Sequence, residues 1–194
     1  MKFLMFYLLI LLALRKENNK DNPELLLAIK SGDHKAFKLF FDVHHSYLYH
    51  FLLKKGLSEQ QAEDLVQQAF VMIWEKREEI DEQKSLRAYL FRIAYTRMLN
   101  LFRDHSKFDE NAETEATESD QKADANIENQ ELAEALTNAI NQMPEKRQEV
   151  FRLCFIQEFT YKSAAEVLGV SVKTIENHMG LALKDLRNKL DGFR

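Results

Sequence analysis

Six polar residues near the C-terminus, Ser171, Lys173, Thr174, Glu176, Asn177 and His178, sit within eight positions of one another at the start of "SVKTIENHMGLALKDLRNKL". A lysine binds guanine edges or phosphate, an asparagine pairs with adenine, and a glutamate accepts from cytosine. Ser171 suits a helix N-cap, and its hydroxyl could also reach a phosphate. The chemistry is that of reading base edges in a major groove, into which a recognition helix enters by its N-terminal residues. An ordinary solvated helix face would show the same residue types, so their placement has to decide.

A second set is basic. Lys84, Arg87, Arg92, Arg97, Arg103 and Lys107 face only Asp104 between positions 84 and 107, a local charge of +5. Arginines of this kind anchor phosphates. Tyr89, Phe91, Tyr95 and Phe102, interleaved with them, could stack unpaired bases, although most are expected in the core. Enzymatic chemistry finds no support: the chain has no glycine-rich phosphate loop, nucleophile elbow or paired-cysteine metal signature. His44, His45 and His50 do not have the four-residue helical spacing with a nearby carboxylate that a metal pair needs, and they read as structural or surface histidines. Cys154 lies in an apolar run and reads as a buried thiol, which excludes a disulfide framework. No cofactor and no small-molecule substrate are implied.

These sets need helices to hold them. In 194 residues that are 45% hydrophobic, only five glycines and two prolines supply turns, so the expectation is an all-α protein with real cores. Asn22 as N-cap, Pro23 at the first helical position and Gly32 past the end bound a short helix. Asp33 caps a longer one carrying Ala36, Phe37, Phe40, Phe41, Tyr47, Leu48 and Phe51, and Gly56 ends it. Ser58 and Gln61 form a capping box for a third, whose stripe Ala62, Leu65, Val66, Ala69, Phe70, Ile73 and Trp74 must be buried. A fourth helix runs from about Leu86 to His105, with Leu86, Leu90, Ile93, Ala94 and Leu101 inward. Helical spacing resumes at Leu132, Leu136 and Ile140, then again through Val150, Leu153 and Cys154. "YKSAAEVLG" and the final segment, joined at Gly169, read as a helix-turn-helix. Ile175, Met179, Ala182, Leu183, Leu186 and Leu190 form its inward stripe, and close helix packing would explain Gly180 in mid-helix.

Between Phe108 and Glu131 nine acids meet one lysine, a charge of −8 in a chain of −4, so the remainder carries +4. A basic body with an acidic strip suits binding to a polyanion. The domain reading is an N-terminal extension over 1–21, a helical domain over 22–106, an acidic flexible linker over 107–127 and a helix-turn-helix domain over 128–194. Phe3 to Leu14 is apolar but too short to span a membrane. It reads as a translated extension ahead of the domain, with a membrane-touching anchor or a cleaved signal as alternatives, and a cytoplasmic protein as the expectation.

Taken together, "GDHKAFKLFFDVHHSYLYHFLLKKGLSEQQAEDLVQQAFVMIWEKREEID", "SLRAYLFRIAYTRML" and "MPEKRQEVFRLCFIQEFTYKSAAEVLGVSVKTIENHMGLALKDLRNKL" resemble the extracytoplasmic-function (ECF) group of bacterial RNA polymerase sigma factors. "AEDLVQQAFVMIWEKR" is the most specific piece. The resemblance implies two helical domains, with core RNA polymerase, promoter DNA and an anti-sigma factor as partners. Asp64, Gln67, Gln68 and Val71 would then dock on the polymerase clamp. The segment from Lys84 to Arg103 would open the downstream promoter element, the last helix would read the upstream element, and the acidic linker would thread toward the active centre. The chain departs from the family's pattern at Thr96, Leu181, Ser163 and Ala164. "SVKTIENHMGLALKDL" is also similar to the C-terminal domain of LuxR-type regulators, a rival that gives the patterned third helix no role.

Overall fold

The computed structural model describes residues 23–106 and 135–190. The Asn22 cap, the Phe3–Leu14 stretch, Lys107 and the 107–127 linker lie outside the described residues. What is described is all-α, without a strand, and falls into two compact units.

The first unit holds α1 (Pro23–Lys30), α2 (His34–Leu53), α3 (Glu59–Glu75), a 3-10 turn (Arg77–Glu79) and α4 (Leu86–Ser106). Local chemistry sets most of the boundaries. Gly32 and Gly56, both at φ 88°, end α1 and α2 in the left-handed region that costs glycine nothing. The Asp33 carboxylate accepts from the Lys35 and Ala36 amides at 2.7 and 3.3 Å. Ser58 and Gln61 close the expected capping box, the Gln61 amide donating to Ser58 Oγ (3.3 Å) and the Ser58 amide to Gln61 Oε1 (3.0 Å). Ser85 starts α4 by accepting from the Ala88 amide.

The α3 stripe packs between α2 and α4, burying Leu65, Val66, Phe70 and Ile73 against Phe40, Leu48, Leu52, Leu90 and Met98. Phe70 is the aromatic centre, its ring 4.8 to 6.2 Å from those of Phe37, Phe40 and Phe41. Some apolar positions are less buried than expected: Tyr47 is 56% exposed, because it rides at the edge of the α2 apolar arc, and Trp74 and Leu101, near the ends of α3 and α4, are only half-buried.

The second unit holds α5 (135–141), α6 (Glu145–Phe151), a π-helical turn (Arg152–Ile156), α7 (Tyr161–Leu168) and α8 (Val172–Leu190). Val150, Phe151 and Leu153 form its core with Ile175, Met179, Ala182 and Leu186. The Arg147–Asp185 ion pair ties α6 to α8. After the π turn the chain reverses through Glu158, which is held at φ 55°. Thr160 then caps α7 by accepting from the Ser163 amide at 3.1 Å, and the Ser163 hydroxyl joins the cap at 3.0 Å. Ser163, one of the departures from family pattern, therefore has a local job. Ala164, another, is fully buried.

Candidate nucleic-acid interface

Gly169, at φ 67°, turns the chain from α7 into α8, and the Val170 amide donates back to the Ala165 carbonyl at 3.1 Å, which satisfies the end of α7. Ser171 caps α8: its hydroxyl accepts from the Thr174 amide at 3.1 Å and pairs with the Thr174 hydroxyl at 2.8 Å. Ile175, Met179, Ala182, Leu186 and Leu190 are buried, while Leu183 is only half-buried.

The opposite face leaves Ser171, Lys173, Glu176 and Asn177 exposed, with Thr174 and His178 half-buried at its edge. His178 Nδ1 is buried without a hydrogen-bond partner among the described residues. Lys173 and Glu176 form an ion pair of 3.0 Å across one helical turn. Lys184, also exposed, lies on the same line as Lys173, Asn177 and Gly180. Its helical spacing from Lys173 is the signal that sequence reading passed over. A Cβ at Gly180 would meet nothing within 4 Å, so close packing does not account for that glycine.

The basic segment divides. Lys84, Arg92 and Arg103 are exposed, and Arg92, Thr96, Leu99 and Arg103 line one outer face of α4 at helical spacing. Lys84 sits 3.5 Å from Asp81, whose carboxyl is held below the usual range chiefly by the Gln83 backbone N–H, with Lys84 adding to it. Arg97 is half-buried and donates to Gln68 Oε1 on α3 at 2.8 Å.

Arg87 does not join this surface. It is 7% exposed, with its guanidinium 5.6 Å from the centre of the Phe91 ring. Arg87 falls on the turn of α4 that faces α2, so its charge is spent inside the domain, where it helps depress the His44 pKa. Phe91 is fully buried against Phe51, whereas Tyr89, Tyr95 and Phe102 are half-buried.

On α3, Asp64, Gln67, Gln68 and Val71 are all exposed and share the face opposite the buried stripe, joined there by Glu75. Val71 is 54% exposed. The carboxylates beside it, Asp64 and Glu75, would repel nucleic-acid phosphates. Sequence reading missed a second apolar line, Leu39, Val43 and Tyr47, which recurs every four residues along the outside of α2. Among the described residues no group of His, Cys, Asp and Glu could hold a metal ion, and no helix is long and apolar enough to cross a membrane.

Two family models match the chain, sigma-70 region 2 over residues 40–108 and sigma-70 region 4 over residues 133–186. The RNA polymerase sigma factor CnrH of Cupriavidus metallidurans is 30% identical over 89% of this chain and 97% of its own length. The chain belongs to the ECF sigma factors. The ECF sigma factor RpoE of Cereibacter sphaeroides is 28% identical over 90% of the chain and 98% of its own length. Among solved structures, CnrH in complex with the cytosolic domain of CnrY superposes with a TM-score of 0.60 at 27% identity, covering 88% of this chain and 97% of that one. RpoE of Bartonella quintana, in complex with the anti-sigma factor NepR, gives the same TM-score at 24% identity over 82% of this chain and supports the fold.

An ECF sigma factor is a non-enzymatic initiation factor that works as a subunit of RNA polymerase, so the α3 pattern has its place and the LuxR-type reading is not favoured. Region 2 takes in most of α2 and all of α3 and α4, and region 4 takes in the helix-turn-helix.

Proposed function

We propose that this ECF sigma factor docks on core polymerase through the α3 face of Asp64, Gln67, Gln68 and Val71, opens the downstream promoter element with α4, and reads the upstream element with α8. The observation that carries the reading is the sorting of side chains on these helices. Each buries one stripe and leaves outward a surface of distinct chemistry: amide, carboxylate and valine on α3, guanidinium and ammonium around α4, and mixed base-reading groups on α8. Lys84, Arg92, Arg97 and Arg103 provide charge for a separated strand, which needs a basic surface because unstacking costs a few kcal/mol. Arg87 supports that surface from beneath.

Promoter choice falls to Lys173, Glu176 and Asn177, with Ser171, Thr174 and His178 positioning the helix on the backbone. Because the related structures hold anti-sigma factors or a cytosolic partner domain, an anti-sigma factor is the regulatory partner to seek, and the protein works in the cytoplasm.

The test is in vitro transcription with core polymerase over a genomic DNA library, read as mapped start sites. Start sites that appear only with both components, and share two upstream elements, support the reading. Tight binding of promoter duplex by the chain alone, with nothing gained from core, would return it to a regulator that acts outside polymerase.

A further inference from the structure

The Arg97–Gln68 hydrogen bond joins two surfaces assigned to different partners. Gln68 stands on the α3 face with Asp64, Gln67 and Val71, and Arg97 belongs to the basic set of α4, 29 positions away. Lys84 and Arg103, by contrast, form ion pairs with Asp81 and Asp104, within three residues of each on the chain. Ala94 and Met98, on either side of Arg97, are buried in the α3–α4 seam, so the Arg97 stem starts at the edge of the core and its head emerges beside Gln68.

A guanidinium has five N–H donors in a fixed planar fork, and this bond uses one of them through Nη1. The Gln68 carbonyl oxygen is the acceptor, which leaves the amide N–H groups of the same side chain to donate to a docking surface. One side chain can therefore meet the polymerase and aim an arginine at DNA.

We propose that Gln68 is a positioning residue for strand opening: it holds the Arg97 guanidinium in place to receive a phosphate of the separated strand, and thereby ties the polymerase-docking face of α3 to the DNA-facing side of α4. The proposal rests on the functional reading above. Docking that immobilises Gln68 also immobilises Arg97. The ordering of a long, rotamer-rich side chain is then met at the polymerase interface rather than at the DNA.

Removing the tether should slow opening by about three- to tenfold, the cost of ordering one such side chain on binding. The experiment uses the full chain on saturating core polymerase at a promoter mapped for the wild type. The readout is the rate at which thymines of the opened segment become reactive to permanganate. Gln68→Ala should slow opening by that factor, and Gln68→Glu, which keeps an acceptor of the same reach for Arg97 but not the N–H donors, should open measurably faster than Gln68→Ala at saturating core. In an Arg97→Ala background, Gln68→Ala should have no further effect. Independent, multiplying effects of the two alanine variants would overturn the proposal, as would a Gln68→Glu protein as slow as Gln68→Ala, or a Gln68→Ala protein that opens at the wild-type rate. A wild-type chain that opens no promoter with core would instead overturn the functional reading, and the tether with it.

Discussion

His44 makes the first unit sensitive to acid. Its ring lies 4.6 Å from that of Phe40, its Nδ1 is buried with no hydrogen-bond partner among the described residues, and its pKa is lowered from 6.5 to about 4. Burial is the larger cause and the charge of Arg87 the second. In the unfolded chain the imidazole titrates near its ordinary value of about 6.5. Between these two pKa values the unfolded state binds more protons than the native one, so stability falls as the pH is lowered through this window. Linkage puts the loss between pH 7 and pH 5 at roughly 2 kcal/mol, rising to about 3 kcal/mol below pH 4.

Trp74 is the single tryptophan and belongs to α3, so its fluorescence follows the first unit alone in a chain with two. Urea midpoints should be compared rather than intensities, since the His34 ring sits 4.5 Å from the indole. The wild type should lose about 2 kcal/mol between pH 7 and pH 5. His44→Leu should lose much less, and Arg87→Met an intermediate amount, because removing the Arg87 charge lets the His44 pKa rise. If His44→Leu and wild type show the same pH dependence, the burial argument is wrong.

The remaining predictions concern residues whose roles the structure separates. At pH 7, Arg87→Met should lower stability by about 1 to 2 kcal/mol through loss of the ring contact, while the salt dependence of promoter binding stays unchanged; a smaller salt slope with full stability would put Arg87 on DNA after all. Ser58→Ala, which breaks the capping box, should cost about 1 kcal/mol in the Trp74-monitored transition and leave the second unit's melting untouched. Replacing Lys173 and Asn177 with alanine should cost about 1 to 3 kcal/mol of discrimination per lost base contact in competition binding by the polymerase-bound protein; unchanged discrimination would show that α8 is docked wrongly.

Much of this architecture is written in local signals. The Asp33 cap, the Ser58–Gln61 box and the glycines at 32, 56 and 169 act within a few residues of themselves, so a sequence carries them in full. The α3 stripe is equally legible because its seven apolar positions keep step with the helix over four turns. What escaped depends on neighbours distant in sequence. Arg87 lies three and seven positions before Leu90 and Ala94, on the inward face of α4, but a cation in a basic run reads as exposed. Tyr47 falls at the edge of an arc whose width is set by how α1 and α3 flank α2. The π turn at Arg152–Ile156 has no sequence mark comparable to a proline or a cap. The bond from Arg97 to Gln68 could be read only once α3 and α4 were laid together.

Four of the cations proposed to meet DNA already have partners within the unbound chain. Lys173 is held by Glu176, Lys84 by Asp81, Arg103 by Asp104 and Arg97 by Gln68. Each of these surface contacts is worth at most about 1 kcal/mol, less than a good base contact and no barrier by itself. Exchanging several at once for phosphates and bases removes up to a few kcal/mol from the affinity of the free chain, since each gain is offset by a partner released. Docking changes the balance by a different route. With the first unit fixed on polymerase and the second tethered to it, promoter contacts form at an effective concentration set by the tether rather than by the bulk. The free protein should therefore bind promoter duplex at least about a hundredfold more weakly than the polymerase-bound form under the same salt, measured by fluorescence anisotropy. Equal affinities would mean that these local pairs do not restrain the DNA-binding groups and that the tether adds nothing.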